Sequence, residues 1–128
     1  GDGTGACVHI GERECTLQRR NQKVLEIAPS PSLTGAERDV LTGHALRLAQ
    51  AGRYRGLGTF EFLMDIDAPA GANMFFIEAN PRIQVEHTVT GAVFGLDLVA
   101  LQMQVCGGAT LAGLGVTQAS LGAPVGFA

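Results

Sequence analysis

Several things are missing from this sequence, and each absence narrows it. The three cysteines, Cys7, Cys15 and Cys106, are odd in number and show no CxxC spacing. That pattern excludes a disulfide framework and a cysteine zinc site, and it fits reduced thiols in a cytosolic protein. No apolar run reaches the length of a membrane span and no signal peptide opens the chain, so no membrane partner is expected. A net charge of −3 provides no basic field, which argues against nucleic acid as a partner. No Gly-Lys-Ser/Thr follows Asp2-Gly-Thr-Gly5, so that stretch reads as turn chemistry and not as a phosphate loop. Beyond Asp97 there is no charged residue, and the chain starts at Gly1 rather than Met. A free-standing domain needs a wetted, charged surface, so the 128 residues are expected to be an excerpt of a longer chain.

What is present is one domain's worth of chain, 46% hydrophobic and 16% charged, which suits a globular protein with a real core. Arg13, Arg19, Arg20 and Lys23 crowd into one short segment, making either a local anion-facing patch or a solvated hairpin face. Strands are predicted over 6–10, 15–19 and 23–28, the last two joined by Arg20-Asn21-Gln22, with Pro29-Ser-Pro31 breaking the sheet. Thr34-Gly-Ala-Glu37 is a capping box. It opens a helix whose stripe is Val40, Leu41, Ala45, Leu48 and Ala49, and which Gly52 closes as a C′ glycine. His44 in that helix reads as a surface residue with no chemistry. Strands at 56–67 and 74–80 flank a loop around Pro69 and Gly71, and a last helix runs from about 96 to 106 and stops at Gly107-Gly108. Strands mixed with two helices make the fold α+β or mixed α/β.

Residues 75–87, FFIEANPRIQVEH, end an apolar strand in acid, amide, guanidinium, acid and imidazole. Folding the two long strands about residues 69–70 sets Glu61 opposite Glu78, with Asn80 two positions on along the same face. Phe60, Phe62, Phe75 and Ile77 then line the other face. Carboxylates on cross-strand neighbours sit ~5 Å apart and repel by roughly 3 kcal/mol at an effective dielectric of ~20. Water, a shared proton or a cation must offset that, and two carboxylates with an amide oxygen suit a hard divalent cation. A solvated face with a slipped register has the same spacing. A glycosidase-type acid pair fits Asn80 and Arg82 less well. Arg82 can grip a carboxylate-like anion at two points, and Glu86 could act as a base beside it. His87 is either a structural hydrogen-bonding residue or a participant.

GERECTLQRRNQKVLEIAPSP (11–31), YRGLGTFEFL (54–63) and FIEANPRIQVEHTVTG (76–91) together resemble the biotin carboxylase component of biotin-dependent carboxylases, within the ATP-grasp superfamily. The resemblance covers nearly the whole chain and is weakest after about Gly108. It implies an ATP-grasp-like antiparallel sheet with flanking helices, with residues 1–128 forming the C-terminal part of that domain. It also implies a two-step reaction in which ATP activates bicarbonate as carboxyphosphate and biotin on a carrier protein takes the carboxyl group. The residues it implies as ligands of Mg²⁺ or Mn²⁺ are Glu61, Glu78 and Asn80, with both acids also at the ATP site. For bicarbonate it implies Lys23, Arg82, Gln84 and the backbone of Val85. Glu86 would be the base and Arg82 the active-site arginine. Gln18 and Asn21 would face the nucleotide, Asn21 standing where the family often has His. A carboxyltransferase domain, a biotin carboxyl carrier and a homodimer complete the implied partners.

Three departures bear on this. Asn21 cannot be protonated; Gly91 replaces a usual Glu, which should loosen the start of the next helix; Pro81 replaces Thr or Ser, which should stiffen the loop. The family's Gly-rich phosphate-covering loop is not among these residues, so the segment alone is expected to show no turnover, and ADP production by it would overturn that. Two other readings stay open: a carbamoyl-phosphate-type ligase, whose Glu-x-Asn-x-Arg ending is similar, and a non-catalytic ATP-grasp remnant acting as a binding module.

Overall fold

The computed structural model describes residues 1–68 and 73–128. The expected loop around Pro69 and Gly71 lies outside the described residues. The first hairpin joins β1 (Gln18–Arg19) to β2 (Gln22–Lys23), with Gln18 opposite Lys23 and Arg19 opposite Gln22. Its connection is two residues, not the three expected. Gln22 belongs to β2, and Arg20 and Asn21 both take positive φ, 52° and 62°, as a tight primed turn requires. The regular strands are shorter than predicted, yet one register persists to the base: Val24 bonds Leu17 and a bridge joins Glu14 to Ile27.

The predicted strand over 6–10 is irregular. Its fourth residue is held by a side chain instead of a neighbouring strand: Gln118 accepts from the His9 N–H at 3.0 Å and donates to the His9 carbonyl at 3.1 Å. One amide thus satisfies both backbone groups that a ladder would otherwise pair.

Helix α1 (Gly35–Ala51) begins with the predicted capping box: Thr34 accepts from the Glu37 N–H, and Glu37 accepts from the Thr34 N–H at 2.9 Å. Its end differs from expectation. Gly52 keeps right-handed φ/ψ (−80°, −1°), while Arg53, one residue later, is left-handed at φ 44°. Tyr54 N–H bonds the Ala49 carbonyl and Arg53 N–H that of Gln50, the two bonds of a Schellman motif with arginine in the glycine position. The predicted apolar stripe is only partly right, because Val40 and Leu48 are exposed while Thr42 and Ala49 are buried. Thr42 satisfies its hydroxyl on the Arg38 carbonyl at 2.9 Å, which lets a polar residue take an inner position.

Strands β3 (Thr59–Met64) and β4 (Met74–Asn80) form the second antiparallel hairpin, β3 being shorter than predicted at both ends. Pairing runs Thr59–Asn80, Phe60–Ala79 and Glu61–Glu78, then shifts to Phe62–Phe76, Leu63–Phe75 and Met64–Met74. Ile77 is left over as a bulge. A one-residue slip exchanges faces, so Phe76, and not Phe75 or Ile77, joins Phe62, their rings meeting edge-on at 5.6 Å. Phe75, Phe76 and Ile77 are all exposed, so the expected aromatic core on this face is not a core within the described residues.

The last predicted helix starts later than expected, as α3 (Leu98–Cys106) capped by Asp97, and ends on Gly107 as predicted. Two helices were not foreseen: α2 (His87–Phe94) and α4 (Gln118–Leu121). α2 closes on Gly95, left-handed at φ 64°, and α3 leaves at a bend of 103°. α2 runs through Gly91, where a Cβ would stand 2.9 Å from the Leu96 carbonyl oxygen. The core is small and aliphatic: Ala28, Ala49, Val93, Leu98, Val105 and Leu111. Asp2 ties the chain's start to it, accepting from Thr4 and from the Leu111 N–H at 3.0 Å. Among the described residues no single helix is long and apolar enough to cross a membrane.

Candidate metal and anion site

Strand alternation puts Thr59 and Glu61 of β3 on one face with Glu78 and Asn80 of β4. Glu61 Oε1 is the hub. It accepts from Lys23 Nζ at 3.3 Å, Asn80 Nδ2 at 3.0 Å and Gln84 Nε2 at 3.1 Å. Asn80 Nδ2 also reaches Glu78 Oε1 at 2.8 Å, so one amide nitrogen stands between the facing acids and softens their repulsion. β2 supplies Lys23, docking the first hairpin on the second through this ion pair. Burial pulls the Lys23 ammonium down, but Cys15, Glu61 and Glu26 together outweigh it and raise its pKa above the ordinary value. Lys23 is therefore a cation throughout the neutral range.

After Asn80 the chain turns within three residues, Arg82 N–H bonding the Asn80 carbonyl at 2.8 Å around Pro81, a γ-turn that suits proline's fixed φ. Gln84, 7% exposed, is drawn back under the acids, whereas Val85 is 86% exposed. Arg82 is exposed, and its guanidinium makes only one hydrogen bond among the described residues, a long one of 3.3 Å to the Ile83 carbonyl, so it is free to meet an anion. Glu86 is the N-cap of α2 and makes no capping bond. His87 Nδ1 lies 2.8 Å from the Gln84 carbonyl oxygen, the structural hydrogen bond that was one of its two readings.

The structure thus brings Lys23, Glu61, Glu78, Asn80 and Gln84 together, with Arg82, Val85 and Glu86 on the segment that follows. It does not tie in Gln18 and Asn21. Gln18 bonds the Cys15 carbonyl at 3.1 Å, and Asn21 occupies the exposed hairpin turn. Sequence reading missed the layer behind the acids: Arg13 binds Glu26, Gln84, Thr59 and Thr90. Thr59 had a usable signal, lying two residues before Glu61 on the same face.

A hard divalent cation fits the donor chemistry of Glu61, Glu78 and Asn80. Coordination by Asn80 needs its amide turned so that Oδ1, and not the nitrogen now shared by the acids, faces the cation. Among the described residues no group of three or more His, Cys, Asp or Glu side chains gathers. Such a site therefore relies on its amide and on ligands from outside the chain, as a cation that keeps waters and phosphate oxygens does.

An antiparallel hairpin ending in acids and an amide, clamped by a lysine hairpin and leading into Arg-x-Gln-x-Glu, belongs to an ATP-grasp type of domain. Residues 1–114 match the family described as the carbamoyl-phosphate synthase L chain, ATP binding domain, and the chain belongs to that family. It is 50% identical over 118 residues to a pyruvate carboxylase of Aspergillus niger, covering 92% of this chain and 10% of that one. The biotin carboxylase domain of a single-chain bacterial carboxylase superposes with a TM-score of 0.85 at 52% identity, over 98% of this chain and 28% of that one. The same domain of a thermophilic 2-oxoglutarate carboxylase, solved with bicarbonate bound, gives 0.86 at 39% identity, over 99% and 27%. The resemblance to biotin carboxylase and the α+β, ATP-grasp-like fold both hold. The chain spans about a tenth of the length of the curated relatives it matches.

Proposed function

We propose that this chain is the metal- and bicarbonate-binding part of a biotin carboxylase, the C-terminal part of its ATP-grasp domain, acting within a longer protein. The observation that carries the reading is the convergence of Lys23, Asn80 and Gln84 on Glu61 Oε1. It places cationic and amide donors beside a paired-acid face, where a small anion and a metal-held phosphate can meet.

In this reading Lys23 and Arg82 hold bicarbonate by charge, and the Gln84 amide and the Val85 N–H add directional donors. Orienting a weak nucleophile in line with the γ-phosphate of ATP is the main task, since a fixed geometry replaces a bimolecular encounter. Glu86 takes the bicarbonate proton as the oxygen attacks phosphorus, giving carboxyphosphate and ADP. Mg²⁺ or Mn²⁺, held by Glu61, Glu78 and Asn80, would neutralise charge on the transferred phosphoryl group. Gln18 and Asn21 would approach the nucleotide from the hairpin tip. The carboxyl group then passes to biotin on a carrier, and a carboxyltransferase domain and a second copy of the protein are the further partners. Identity with pyruvate carboxylase favours this over a carbamoyl-phosphate-type ligase.

The test is carboxylation of free biotin by the natural full-length protein, supplied with labelled bicarbonate, ATP and Mg²⁺. Biotin-dependent label incorporation is expected, reduced ~10²–10³-fold by Arg82→Ala. ATP consumption with ammonia but without biotin would point to the carbamoyl-phosphate type instead.

A further inference from the structure

Behind the paired acids, Arg13 is half-buried and makes four hydrogen bonds. Its Nε donates to Glu26 Oε1 at 2.8 Å and its Nη1 to Thr90 Oγ1 at 3.0 Å. Its Nη2 donates to Gln84 Oε1 at 2.9 Å and, more weakly, to Thr59 Oγ1 at 3.4 Å. Glu26 Oε2 has no partner among the described residues although it is buried, so the Glu26 carboxylate is satisfied through Arg13. Gln84 therefore lies between two groups of fixed polarity. Guanidinium can only donate and an ionised carboxylate can only accept. With its oxygen on Arg13, Gln84 must turn its nitrogen to Glu61, where the distance is 3.1 Å. Reversing the amide would set N–H against N–H at one end and oxygen against oxygen at the other.

We propose that Arg13 is a positioning residue that locks the Gln84 amide with its nitrogen facing the anion site. The –NH₂ group has two hydrogens; one goes to Glu61 and the other is presented, already oriented, to a bound anion. Glu26, Thr59 and Thr90 hold the guanidinium from three other directions, so it cannot swing away. Lysine cannot substitute, because one ammonium on a flexible stem does not span Glu26 and Gln84 in fixed directions. The proposal rests on Gln84 being a bicarbonate donor.

The test is a double-mutant cycle in the natural full-length protein, read as KM for bicarbonate and for ATP in biotin-dependent turnover. Arg13→Met and Gln84→Ala are each expected to raise the bicarbonate KM roughly tenfold, with the ATP KM within about twofold of wild type. Because Arg13 acts through Gln84, adding Arg13→Met to Gln84→Ala should change the bicarbonate KM by less than about twofold. Fully additive effects, or equal rises in both KM values, would overturn the proposal and leave Arg13 a structural prop. If Arg13→Met does not fold, Arg13→Lys carries the test: a raised bicarbonate KM is expected and a normal one overturns the proposal. An unchanged bicarbonate KM in Gln84→Ala would instead overturn the anion-site assignment of Gln84, and with it this role for Arg13.

Discussion

Glu61 and Glu78 face each other directly across the β3–β4 ladder, and a single amide nitrogen, that of Asn80, bonds both. Two carboxylates at this spacing repel; the amide relieves part of the repulsion, and a cation would relieve more. Asn80→Ala should therefore weaken Mn²⁺ binding at least about tenfold, measured by titrating the metal's paramagnetic signal. Asn80→Asp, which keeps an oxygen donor, should stay within a few-fold of wild type. An alanine variant that binds Mn²⁺ normally would remove the metal from this face.

Lys23 carries a pH prediction whose sign follows from its raised pKa. A lysine held above its unfolded value stabilises the fold fully below about pH 10.5 and loses that contribution as pH rises through the folded value. Wild type and Lys23→Met should differ in urea midpoint by a constant amount from pH 6 to 9, and the gap should close above 10.5. The ion pair is partly exposed, so the difference is about 1 kcal/mol at most. A gap that varies through the neutral range would contradict this assignment.

At the end of α1 the glycine is one residue early. Gly52 is right-handed with room for a Cβ, its nearest neighbour the Leu48 carbonyl oxygen at 3.6 Å, while Arg53 holds a left-handed φ of 44°. Exchanging the roles by Gly52→Ala with Arg53→Gly should stabilise the protein by about 1 kcal/mol, read as a rise in urea midpoint. Gly52→Ala alone should be neutral to stabilising, and loss of stability there would contradict the assigned cap.

Asp2 predicts acid behaviour. Hydrogen bonds from the Thr4 hydroxyl first, then from the Thr4 and Leu111 N–H groups, hold its carboxyl down at about 2. A depressed pKa contributes stability above the unfolded value of about 3.8 and loses it as pH falls through 2. The stability difference between wild type and Asp2→Asn should hold constant above pH 4 and vanish near pH 2. A difference insensitive to acid would mean that the hydrogen bonds, not the charge, matter there.

Local chemistry was legible in the residues; what required a partner elsewhere was not. The Thr34 box and the Glu61–Glu78 pairing each follow from short-range spacing, and both are present. The β-bulge at Ile77 was invisible because alternation assumes one unbroken register, and it reassigned Phe75 and Phe76. The failed strand at 6–10 turned on Gln118, over a hundred residues away. Arg13 was counted in the positive cluster, yet its role depends on Glu26, Gln84 and Thr90 arriving from three separate segments.

The leftover Ile77 divides the β3–β4 hairpin into two halves that pair in different registers. The half bearing Glu61, Glu78 and Asn80 is held by Lys23 and Gln84, which bond Glu61 from outside the hairpin, and the other half carries the edge-on contact of Phe62 with Phe76. Between them the joint acts as an expansion gap. A one-residue offset is absorbed at this bulge, so the acids keep their shared face although the far half of the hairpin pairs in the other register.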